Sequence, residues 1–205
     1  MMDQKLYLAP IKPNPQNVLD LGTGTGLWTI EFFDLIHARQ LHCAVEEKQL
    51  IEQALQNLEP GGYLEMQELA FPSTCDDGSN PSSNAFTKWN ALMLEASTKM
   101  GKPLNNLPHY ADWMRDAGFT NVHSSLYKWP SNTWSKSRQK EETLGLDLPW
   151  MAMFMRVLGR WTPEEVPVFL VDVRKDCGDK RLLNYWPTAC VRYITYGQKP
   201  LEDKS

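Results

Sequence analysis

The run Asp20-Leu21-Gly22-Thr23-Gly24-Thr25-Gly26, entered from Val18-Leu19 and left through Leu27-Trp28-Thr29-Ile30, constrains the fold of this chain more than any other segment. Val18–Leu21 is a short apolar run of the kind that fills a buried parallel strand, and three alternating glycines follow where the chain must turn. Glycine accepts positive φ and lets the backbone approach a ligand closely. The amides that open the next helix would then face that ligand, as in other glycine-rich strand-to-helix turns. The spacing is GxGxG and not the dinucleotide GxGxxG, which weighs against hydride transfer. A nucleotide-type cofactor at the carboxyl edge of a parallel sheet is the expectation.

The segments that follow alternate between strand and helix patterns. Phe33-Asp34-Leu35-Ile36-His37-Ala38-Arg39 reads as a strand with polar residues at its end, and Val45–Leu58 has apolar residues at helical spacing. Glu59-Pro60-Gly61-Gly62 is read as the stop of that helix. Tyr63–Glu68 alternates as a strand, the polar and small residues between Phe71 and Ser83 mark a loop, and Asn84–Met100 has one apolar helical face. Tyr110–Ala117 is a short helix closed by Gly118, followed by a strand over Phe119–Trp129. Thr162-Pro163-Glu164-Glu165 opens a helix, with a threonine cap, proline at the first position and acids in the first turn. Cys190–Gly197 is a strong β run. The fold class expected is α/β, in one domain over 1–205 with largely helical insertions around 84–117 and 147–178.

A net charge of −4 and a pI near 5.6 argue against a nucleic-acid-binding surface. No apolar run approaches the ~20 residues that span a membrane, and the N-terminus lacks a signal-peptide core. Cys43, Cys75, Cys177 and Cys190 are widely spaced with no CxxC pair, so neither a metal site nor a disulfide framework is expected. A reduced protein of the cytoplasm, or alternatively the nucleus, follows. Tryptophans 89, 113, 129, 134, 150, 161 and 186 are expected mainly in the core. A subset beside Met151, Met153 and Met155 would make a flat, adaptable surface for an aromatic ligand or a partner helix.

An acid two positions before the first glycine is the form of motif I in class I S-adenosylmethionine (SAM) methyltransferases, and Asp20 fits it. Together with Phe33–Arg39, Leu58-Glu59-Pro60-Gly61-Gly62-Tyr63-Leu64-Glu65-Met66-Gln67-Glu68, Glu164-Glu165-Val166, Val173-Arg174-Lys175-Asp176, Tyr185-Trp186-Pro187 and Tyr196-Gly197-Gln198-Lys199-Pro200, the loop resembles fungal methyltransferases of the LaeA-like type. The resemblance implies a class I, Rossmann-like sheet. Family members carry a long segment between the equivalents of Phe32 and Phe33, holding the second and third strands and the acid that grips the cofactor ribose. Here the flanks are fused, so an incomplete sheet lacking those two strands is expected. Glu46 and Glu47 are the nearest acids at the usual offset of about 20 residues. The fused connection leaves two readings: a minimal crossover over Gly22–Phe33, or one long helix over Leu27–Leu58.

The resemblance assigns SAM to Asp20, Gly22, Thr23, Gly24 and Gly26. His37 and Glu68, near the ends of the next two strands, are the catalytic candidates, with His37 as general base for an oxygen nucleophile. The implied function is SAM-dependent methylation of a small molecule, aromatic on the tryptophan argument, in fungal secondary metabolism. The alternative is an inactive methyltransferase-like accessory protein that binds a pathway intermediate or a partner enzyme. Loss of strands beside the first strand would leave a sheet edge open to a second copy of the chain.

Overall fold

A computed structural model describes residues 7–13, 15–21, 33–41, 43–72, 83–129, 157–178 and 190–201. The strands are β1 (Val18–Leu21), β2 (Phe33–Arg39), β3 (Leu58–Leu69), β4 (Thr120–Trp129) and β5 (Cys190–Gln198). The helices are α1 (Glu47–Asn57), α2 (Ala85–Lys99), α3 (Tyr110–Ala117) and α4 (Glu165–Gly178). The chain divides into two compact units. The first comprises Met1–Leu69, Asn106–Tyr127 and Arg192–Ser205; the second comprises Ala70–Asn105 and Lys128–Val191.

The strands form one sheet in the order β1-β2-β3-β5-β4. β1, β2 and β3 are parallel, and β5 runs antiparallel to β3. Thr120 and Asn121 bond to Gln198, and Ser124 to Thr195, so β4 in turn runs against β5. This is the expected class I α/β sheet, and among the described residues the two strands beyond β1 are lacking. Phe33–Arg39 is a strand paired in parallel with Val18–Leu21, which excludes one long helix over Leu27–Leu58. The Asp34 carboxylate fastens the entry to β1 by accepting the N–H groups of Gln16 and Asn17 at 2.8 and 3.2 Å.

Two sequence expectations change in the sheet. A buried β1 is the sequence expectation, yet Val18 is 50% exposed and only Leu21 of the four residues is buried, because among the described residues β1 pairs on one side alone. Glu59-Pro60-Gly61-Gly62 was read as a helix stop, but α1 passes directly into β3 at Leu58. Phe33 pairs with Leu58 and Leu35 with Tyr63, so these four residues form a bulge inside the strand. A bulge is where a sheet tolerates proline. Gly61 takes φ +84, and Lys199 exchanges backbone hydrogen bonds with the bulge, donating to Gly62 O at 2.8 Å and accepting from Gly61 N at 3.0 Å. At Gly62 a Cβ would stand 2.8 Å from the carbonyl oxygen of Phe33. The glycines therefore serve the ladder and not a helix terminus.

Side chains alternate across a strand, and the two faces of this sheet are covered differently. On the face of Leu35 and Tyr63, the lead-in residue Ala9 completes a small core, with Tyr7, Ile11 and Tyr196 packed on it. On the face of Glu68 lie α1 and α3, which pack on each other; α1 also packs on β3. Gly118 ends α3 at φ +109, as expected of a left-handed helix terminus. Phe119 then packs onto Gly197, where a Cβ would lie 3.0 Å from its own.

In the second unit α2 packs against α4. Asn84 caps α2 by accepting from Thr87 N at 2.7 Å, and Phe86, Trp89, Leu92, Met93 and Ala96 form its buried stripe. Val166, Phe169, Leu170 and Val173 are the buried residues of α4. The expected threonine cap at Thr162 is present, and Glu165 makes it a reciprocal capping box at 2.8 and 3.2 Å. Arg160 forks onto Glu95 at 2.7 and 3.0 Å, and the Lys88 ammonium lies over the Trp161 ring at 5.1 Å. The Trp150 and Met151–Met155 segment lies outside the described residues.

Candidate functional site

A polar row crosses the sheet on one face. Asp20 is the register partner of His37, His37 of Glu65, and Glu65 of Tyr196. The ring of His123 lies 5.4 Å from that of Tyr196, which carries the row onto β4. Partners in a ladder project to the same side, so a residue from every strand contributes. The row lies toward the carboxyl ends of the parallel strands, the edge where ligands bind in such sheets.

At one end Asp20 Oδ1 meets His37 Nδ1 at 2.8 Å. The Asp20 side chain is 52% exposed and that of His37 15%. His37 Nε2 is buried and has no hydrogen-bond partner. Next along the row, Glu65 is fully buried; its Oε2 accepts the N–H groups of Leu8 and Ala9, both at 2.6 Å, and its Oε1 accepts from Gln67 Nε2 at 2.6 Å. Three N–H donors compensate the buried charge. Beyond it, Tyr63 and Tyr196 meet edge to face at 6.1 Å. Burial, and then the neighbouring Tyr196, raise the Tyr63 phenol above its ordinary range.

Glu68 lies on the opposite face of β3 from Glu65 and His37. It is buried, and its Oε1 accepts from Leu41 N at 2.7 Å. Tyr110 stands close to it and to Glu47 of α1; burial first, then those carboxylates, push the Tyr110 phenol far above its ordinary range. The structure thus brings Asp20 together with His37 and separates both from Glu68. It places Glu47 in the α1–α3 interior. Gly22, Thr23, Gly24 and Gly26 lie outside the described residues. Glu65 escaped the list of candidates, since its tie to Leu8 and Ala9 spans more than fifty residues and leaves no local pattern.

Comparison with known proteins now decides the family. The sequence model of a methyltransferase domain matches residues 31–124. The protein named Probable methyltransferase tdiE, from Emericella nidulans, is 34% identical over 254 aligned positions, covering 97% of this chain and 77% of that protein. The secondary metabolism regulator LAE1 of Gibberella fujikuroi is 26% identical, covering 95% of this chain and 76% of its own. This chain belongs to the LaeA-like family of fungal methyltransferases. For this LaeA-like protein a further relative is methyltransferase pytC of Aspergillus terreus, 25% identical over 86% of the chain and 70% of the relative. The tdiE alignment runs over more positions than the 205 residues here, so tdiE carries residues within the matched stretch that have no counterpart in this chain.

SAM is the cofactor of such a family, and the described residues fit one side of its site. β1 delivers Asp20 toward its carboxyl end, and His37 presents a buried, unpartnered nitrogen one strand away. The ribose-gripping acid is a different matter. Glu47 is only 4% exposed and faces Tyr110, and Glu46 precedes a helix that packs on β3 and α3. Among the described residues no three His, Cys, Asp or Glu side chains form a metal-binding group, and no helix is long and apolar enough to cross a membrane.

Proposed function

We propose that this LaeA-like protein methylates a small molecule of fungal secondary metabolism, with His37 as the general base and SAM held at the glycine run Gly22–Gly26. The observation that carries this reading is the buried Nε2 of His37, without a partner, at the carboxyl edge of β2 and directly beside β1. A bound SAM supplies an electrophilic methyl on a sulfonium. The chain's share is to align the acceptor, exclude water and take a proton from the acceptor oxygen at Nε2. Glu65, fully buried and tied to Leu8 and Ala9, anchors the lead-in segment over the same face. The methyltransferases tdiE and pytC support the assignment by sequence.

Calorimetric titration of the full chain with SAM and S-adenosylhomocysteine tests it. Binding tighter than about 100 μM, roughly −5.5 kcal/mol, is expected. Absence of heat from well-folded protein overturns it in favour of the second reading, an accessory protein that binds a pathway intermediate or enzyme. That reading is supported by the burial of Glu47 beside Tyr110 and by the residues of tdiE that lack a counterpart here.

The partner proposed for β1 is a second copy of the chain, supported by its place at the end of the strand order and by the half-exposed Val18. Cys43 is a buried thiol, in keeping with work in a reducing compartment such as the cytoplasm or nucleus.

A further inference from the structure

We infer that Asp20, the acid of the glycine-loop motif, is a positioning residue for His37 and not a ligand of the cofactor. The inference rests on the proposed role of His37 as base. The two residues are register partners on adjacent parallel strands, so their side chains rise from the same face about 4.8 Å apart. Their facing atoms, Asp20 Oδ1 and His37 Nδ1, are 2.8 Å apart. A carboxylate only accepts hydrogen bonds, so the proton of the neutral ring must sit on Nδ1. The lone pair is then left on Nε2, the atom that is buried without a partner. Buried polar atoms are nearly always satisfied in a native structure, and the group that satisfies this one is a donor on a bound molecule.

The contact also settles what Asp20 Oδ1 is occupied with. That oxygen is held by an imidazole on the neighbouring strand. The arrangement has the logic of an acid–histidine pair in which the carboxylate orients the ring and stabilises it once protonated. In the transfer the acceptor O–H proton passes to Nε2, and the electron pair of that bond forms the new O–CH3 bond as the CH3–S bond of the sulfonium breaks. The positive charge of the sulfonium ends on the imidazolium, which Asp20 neutralises.

The experiment reads the ring and the cofactor separately. Long-range 1H–15N spectra of the 15N-labelled full chain in mildly alkaline buffer report the tautomer of each of the 4 histidines, with His37 assigned by His37→Gln. The wild type should show hydrogen on Nδ1, and Asp20→Asn, whose amide can donate, should shift it toward Nε2. An identical His37 tautomer in both proteins overturns the inference. S-adenosylhomocysteine titration of the same variants is the second arm. Affinity should change by less than about threefold in Asp20→Asn, and a loss of more than about tenfold with an unmoved tautomer makes Asp20 a cofactor residue instead. Should the wild type bind neither SAM nor S-adenosylhomocysteine, methyl transfer fails as the function, while the spectra still decide what Asp20 does. Asp20 is half exposed, so the variant should fold; Asp20→Ala, which leaves the ring unrestrained and both tautomers populated, repeats the spectral test without an amide.

Discussion

The carboxylate of Glu65 accepts the backbone N–H of Ala9 at 2.6 Å across 56 positions of sequence. Leu8 donates to the same oxygen and Gln67 to the other, so a fully buried anion in the third strand pins the lead-in segment to the sheet. The contact joins a stretch without regular structure to the strand next to the proposed base.

Glu65→Ala leaves two backbone donors and the Gln67 amide without their acceptor. A loss of about 3 kcal/mol is expected, read from the denaturant midpoint. The amides of Leu8 and Ala9, which Glu65 holds, should exchange with deuterium faster, detected by mass spectrometry. Unchanged exchange would show that Glu65 does not hold the segment.

Two glycines should respond differently to alanine. At Gly62 the new Cβ would meet three backbone carbonyl oxygens, of Phe33, Glu59 and Asp34, at 2.8 to 3.2 Å. Backbone cannot step aside as a side chain can, so Gly62→Ala should cost about 3 kcal/mol. Gly101 has φ +75 with nothing within 4 Å, and Gly101→Ala should cost only about 1 kcal/mol for the strained backbone. Equal losses on chemical denaturation would refute the bulge geometry.

Stability should fall with alkali partly through Tyr110. Its folded pKa is raised far above the ordinary 10.0 by burial and by Glu68 and Glu47. Above pH 10 the unfolded phenol gives up its proton while the folded one keeps it. The unfolded state then binds fewer protons, so stability decreases as pH rises; below that range the effect is absent. Tyr110→Phe should flatten the alkaline limb of a stability–pH curve, and a limb as steep as wild type would count against it. Tyr63, also raised, contributes in the same direction.

Thr162→Ala removes one half of the capping box at the start of α4. The expected cost is about 1 kcal/mol, and Thr162→Asp should restore most of it. Thermal denaturation of the three proteins checks the order.

Self-association through β1 should appear as a rise in mass with concentration by size exclusion and light scattering. Val18→Lys, placing a charge on the half-exposed edge, should return the monomer. A wild type that stays monomeric at every concentration rejects pairing through this edge.

Local signals were legible wherever one residue type meets one local need. The threonine cap at Thr162 and Gly118 after α3 both follow from capping chemistry within four residues. The strand and helix periods of β2, α2 and α3 were equally plain. Pro60-Gly61-Gly62 was misplaced because proline and glycine report only that regular structure is interrupted. Whether a helix or a ladder is interrupted depends on Phe33 and Lys199, which are remote in sequence.

What the sequence determined by itself was the family, the α/β class and the place of a glycine-rich run after the first strand, since each resides in contiguous residues. Only the tertiary structure decided the partners. Asp20 and His37 become neighbours through the register of two parallel strands, and Glu68 parts from His37 because adjoining residues of a strand face opposite sides. A one-residue shift in either register would undo both results without altering a single local propensity. The chemistry of the candidate site is therefore a property of strand alignment, which long-range packing selects.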